Sequence, residues 1–188
     1  CAPVGEQMSV WEAQTVESTV NCITAKGLDD PLETTVELNT QYCFQVTGFL
    51  GVVYNDQFLR AFISKKNKDI STMQVYTTMY TQEGNWPNPR SVSFLIGGEV
   101  RSVDIKNLHS DVECGVPGAD LYGCRCQNDI VFDLPIEVFE EAQRLKTEGK
   151  TKFTYRIANQ KTKNLDRFFH VNEVLGFEEK LKTVREIL

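Results

Sequence analysis

Histidine is scarce in this sequence, and so are the motifs that usually put it to catalytic use. Only His109 and His170 occur in 188 residues. There is no G-x-S-x-G elbow and no H-E-x-x-H run, so neither a hydrolase triad nor a zincin helix is written locally. No glycine-rich loop of the phosphate-cradling kind is present. No run of about 18 apolar residues exists, so no helix is long and apolar enough to cross a membrane. Positive charge is also in short supply. Twenty Lys and Arg face 26 Asp and Glu, for a net charge of −6 and a pI near 5.0. That balance argues against a nucleic-acid partner, which wants clustered basic groups. The one basic cluster, Lys65-Lys66-Asn67-Lys68, reads as a solvated hairpin tip. Asn-x-Ser/Thr sequons are missing too.

What the chain does have is strand patterning broken by turn chemistry. Ser18 to Thr24 is rich in β-branched residues, and Gly27-Leu28-Asp29-Asp30-Pro31 is a turn cluster. Thr34–Leu38, Gln41–Thr47 and Phe58–Ile63 read as further strands. Ser71–Thr81 sets Met73, Val75, Thr77 and Met79 on one face. Two prolines keep 82–90 out of any central strand and leave Trp86 in a loop. Gly97-Gly98 separates two extended runs and supplies the positive φ angles of a two-residue hairpin turn. Val103–Lys106 alternates cleanly, and Ile130, Phe132 and Leu134 form an inward face.

Two helices come late. Pro135 opens the first, in which Val138, Phe139, Ala142 and Leu145 recur at helical spacing, and Gly149 suits its left-handed cap. Phe153, Tyr155 and Ile157 then form a strand, and Arg167–Val171 returns beside it. Asn172 is positioned to cap the last helix, whose stripe Val174, Phe177, Leu181, Val184 and Leu188 reads as lying across the chain's own sheet. The expectation is an antiparallel β-sandwich, Ig-like in general architecture, with helices near 135–147 and 173–187 packed on it. Residues 1–16 form an N-terminal anchoring segment with Trp11 against a single domain of 17–188.

Six cysteines in a chain of this size favour an oxidising compartment. Cys22 and Cys43 form the first-choice bridge, expected to join neighbouring strands. Cys114, Cys124 and Cys126 bracket a Gly/Pro loop. His109 with those three cysteines offers four zinc-type ligands, but C-x-C lacks the two-to-four-residue spacing of a zinc knuckle. A disulfide from Cys114 to Cys124 or Cys126 is the preferred reading, and closing that loop is worth about 3 kcal/mol in the chain-entropy model. Asp111, Glu113 and Asp120 match no calcium-loop motif. Glu140-Glu141 and Glu178-Glu179 read as solvated helix faces. No cofactor and no metal is implied.

The start at Cys1, followed by Ala2-Pro3-Val4-Gly5, resembles mature bacterial lipoproteins, whose first cysteine is acylated after cleavage of the leader. Asp111 to Pro135 (D-V-E-C…G-C…V-x-F-D-L-P) likewise looks like a segment of uncharacterised lipoproteins. The resemblance implies lipidation at Cys1, a bacterial cell-envelope location and, since Ala2 is not aspartate, sorting to the outer membrane. Membrane contact then runs through that lipid alone. The expected function is a non-catalytic structural or interaction component of an envelope protein assembly, with Trp86 and Tyr122 as candidate contact residues. A carbohydrate or small-ligand module using the same two aromatics is the alternative, and a Cys/His enzyme or metal-binding protein ranks below it.

Overall fold

The computed structural model describes residues 12–44, 57–82, 88–114, 124–159 and 163–188. Its strands are β1 (Thr24–Lys26), β2 (Thr35–Asn39), β3 (Gln57–Ser64), β4 (Ile70–Gln82), β5 (Pro89–Ile96), β6 (Glu99–Cys114), β7 (Cys124–Asp133), β8 (Lys152–Asn159) and β9 (Leu165–His170). Three helices accompany them among the described residues: α1 (Val16–Cys22), α2 (Val138–Thr147) and α3 (Val171–Ile187). The strands form one antiparallel sheet in the order β1-β2-β3-β4-β7-β6-β5-β8-β9, curled into a half-barrel. The mainly β, antiparallel body with two late helices is therefore as the residue pattern indicates.

Alternation explains which face is inside. Val36 and Leu38, then Leu59, Ala61 and Ile63, then Val75 and Met79, are buried at every second position of their strands. Phe153, Tyr155 and Ile157 do the same in β8. The aromatic centre is Phe94, Phe132, Tyr155 and Phe169, with ring centroids 5.1 to 6.1 Å apart. Gly97 and Gly98 both have positive φ (59° and 84°), and Ile96 pairs with Glu99 across them, the tight hairpin their sequence calls for. Gly149, at φ 73°, closes α2.

The curl brings distant strands together. Tyr155 in β8 donates its phenol proton to Gln57 Oε1 in β3 at 2.7 Å. The Gln57 amide in turn donates to the Phe168 carbonyl of β9, and Arg167 of β9 donates to the Thr78 carbonyl of β4. Helix α3 packs against both β3 and β9. Val174, Phe177, Leu181 and Val184 are buried there, as the stripe predicts.

Four local expectations need correction. Ser18–Thr24 is helical up to Cys22: Thr15 caps α1, its hydroxyl accepting from Ser18 N at 3.1 Å while Ser18 Oγ accepts from Thr15 N at 2.9 Å. This reciprocal cap, together with docking on α3, outweighs the weak strand preference of the β-branched residues. Gln41–Cys43 is a turn, held by Cys43 N donating to Thr40 O, so Tyr42 and Phe44 do not alternate as in a strand: Tyr42 is exposed and Phe44 buried. The remainder of that expected strand, 45–47, lies outside the described residues. Helix α3 is capped by His170, whose Nδ1 accepts from Asn172 N at 3.0 Å, and Asn172 instead donates to Gln14 O. Finally, Glu141 is buried: Arg144 and the Gly97 N–H hold it.

Candidate functional site

Cross-strand register builds a groove on the outer face of the sheet. Ser102 of β6 stands opposite Ser93 of β5, Ser93 opposite Arg156 of β8, and Arg156 opposite Asp166 of β9. These four side chains form a polar row across four strands. The two serine hydroxyls are 2.9 Å apart, and Arg156 holds Asp166 through Nε and Nη2 at 2.6 and 2.8 Å. That pairing holds the Asp166 carboxyl below the usual range and raises the Arg156 guanidinium further. In the neighbouring row Leu95 faces Val100, and Thr154 faces Phe168. Leu95 is 57% exposed and Val100 69%. An apolar floor beside a charged rim encloses about 410 Å³.

A second polar cluster is sealed inside. Thr40 donates to Glu173 Oε1 at 2.8 Å, and the same hydroxyl accepts from Leu59 N at 2.9 Å. Glu173 is fully buried, and among the described residues its Oε2 has no hydrogen-bond partner. Burial pushes its carboxyl up to about 8, against the opposing pull of the Thr40 hydroxyl and the His170 main chain. The group is therefore mostly protonated at neutral pH, a hydrogen-bonding acid instead of a charge. His170, one step before α3, is buried against the Phe44 ring at 5.7 Å, and burial lowers its imidazole from the ordinary value. Tyr155 is buried as well, which pushes its phenol up. Replacing Tyr155 with Phe strips Gln57 Oε1 of its buried donor. The expected cost is about 1–2 kcal/mol, read from the urea midpoint.

The residues singled out in the sequence scatter over the molecule. Cys1, Trp11, Trp86, Tyr122 and Asp120 lie outside the described residues. Cys22 and Cys43 are bridged, with Cα atoms 5.6 Å apart, and the bond joins the end of α1 to the 40–44 turn where two neighbouring strands were expected. Cys114 is also disulfide-bonded, and the β6–β7 register sets it opposite Cys124. Cys126 is buried in β7, two positions along. His109 and Asp111 are exposed on β6. Among the described residues, no group of three or more His, Cys, Asp or Glu is placed to hold a metal ion.

Sequence reading missed the groove and Glu173. The groove had a signal: Leu95 and Val100 flank the Gly-Gly turn at equal distance, so a two-residue hairpin sets them side by side. Glu173 had none, because its isolation comes from Thr40, far away in the chain. Compared with known proteins, the chain matches no protein family, no curated protein and no solved structure.

Proposed function

We propose that this protein is a non-catalytic interaction component of a bacterial cell-envelope assembly, lipid-anchored at Cys1 in the outer membrane. In this reading it engages a protein partner through the outer groove. The observation that carries it is the Leu95–Val100 pair, two large apolar side chains exposed together beside the Arg156–Asp166 ion pair. An apolar centre with a charged rim is how protein interfaces are built. The exposed Cys22 in a disulfide supports maturation in an oxidising compartment. Residues 17–188 act as one unit in this reading. The two halves of its curl stand to each other as the layers of an Ig-like sandwich, a view supported by Tyr155 meeting Gln57 across the interior.

A small-ligand module is the second reading, favoured by the groove volume, which falls within the range of ligand pockets. Leu95→Glu combined with Val100→Glu separates the two. Both positions are solvent-facing, so the thermal midpoint should stay within a few degrees. Co-purification of a membrane-fraction protein should be lost. Retention of that partner by the double variant would remove the groove from the interface. Intact mass measurement of the native protein should show acyl chains on Cys1, and an unmodified Cys1 would end the anchoring claim.

A further inference from the structure

The turn at 40–44 has two kinds of attachment. Thr40 is held at both its N–H and its hydroxyl by β3, and it reaches Glu173 in α3. Beyond it, Cys43 and Phe44 cover the junction where β9 passes into α3. Phe44 is 2% exposed, stacks on His170 and packs against Phe168. Besides the main chain, Cys43 is linked covalently to Cys22, an exposed residue at the end of α1. Helix α1 is itself docked on α3, through Thr19 against Gly176 and Asn172 to Gln14 O. A bridge that ends on an exposed residue thus ties down a cover over the buried His170 imidazole.

We propose that Cys22–Cys43 is a redox latch: its two-electron reduction by a dithiol releases the 41–44 cover from the β9–α3 junction. In the chemistry, a thiolate of the reductant attacks Sγ of Cys22, which belongs to an exposed residue, forming a mixed disulfide and freeing Cys43 as thiolate. The reductant's second thiolate then displaces Cys22. The dithiol leaves oxidised to its disulfide, and the protein gains two electrons and two protons. Thr40 keeps its bonds to Leu59, so the release does not extend back into β2. It uncovers Phe168, His170 and the N-terminal turn of α3 while the sheet stays folded.

The test is hydrogen exchange on the full chain, oxidised and after treatment with a phosphine reductant, with thiols mapped by alkylation and peptide mass. Cys22→Ser with Cys43→Ser serves as a second arm in which the Cys114 bridge is untouched. Expected is exchange at least about tenfold faster at 41–44 and at the 170–173 amides, with β5 to β8 unchanged. Three results overturn the latch: unchanged exchange once both thiols are alkylated, a uniform rise across the sheet (a general staple), or failure of the native bridge to react.

Discussion

Glu173→Gln should make the protein more stable at neutral and alkaline pH and remove most of the pH dependence of its unfolding between about 4.5 and 8. The folded carboxyl titrates near 8, above its value in the unfolded chain, so the native state holds the extra proton throughout that window. Stability must then fall as pH rises, by up to about 1.4 kcal/mol per pH unit, and level off once both states are ionised. Glutamine keeps the Thr40 contact and cannot ionise. The imidazole of His170 works the other way: its lowered value means that the native state holds its proton less firmly, so stability grows with pH up to the ordinary histidine range. In the wild type these slopes oppose each other just below the ordinary histidine value. Without Glu173 the His170 slope should stand alone, followed by a plateau. Urea midpoints from pH 4 to pH 9 would show this. A variant that follows the wild-type curve would mean that the carboxyl is not held protonated.

Gly176→Ala should destabilise the fold by about 1–3 kcal/mol, although alanine is the better helix former by about 1 kcal/mol. A methyl carbon at Gly176 would stand 2.6 Å from both Cβ and Cγ2 of Thr19 and 3.1 Å from the Val16 carbonyl. The Thr19 Cβ is fixed to its backbone, so relief requires α1 to move as a body. Moving α1 pulls on Asn172–Gln14 and on the Cys22 bridge together. Thermal midpoints of Gly176→Ala, Thr19→Gly and the double variant form the check. The double variant should be more stable than the sum of the single losses implies, because Thr19→Gly removes both colliding atoms. A Gly176→Ala protein as stable as wild type would show that α1 is not packed so closely.

These expectations rest on contacts between residues far apart in the chain, which is why the sequence hid them. Features set by neighbours were legible: the Gly97-Gly98 turn, the Val138–Leu145 spacing, the Val174–Val184 stripe, and the strand faces of β4 and β8. Helix α1 was not, since Thr19 and Val20 favour extended backbone by small amounts, and the opposing terms are the Thr15–Ser18 cap and docking against Gly176. Glu141 looked solvated beside Glu140 because its partner includes a main-chain N–H at Gly97 in another hairpin. The Cys22–Cys43 pairing was found, but with the wrong secondary structure at both ends. Cysteine counting constrains which residues meet and says little about the backbone that delivers them.

The position of that bridge also decides how the molecule bears load. A pull arriving along the chain ahead of α1 reaches Cys22 and crosses directly to Cys43. The 20 residues between them, including β1 and β2, sit in a covalent loop that carries none of the tension. The three-residue strand β1, paired on one side only, is thereby mechanically shielded. The force enters instead at the 40–44 turn, whose Thr40 is bonded both to β3 and to Glu173 of α3.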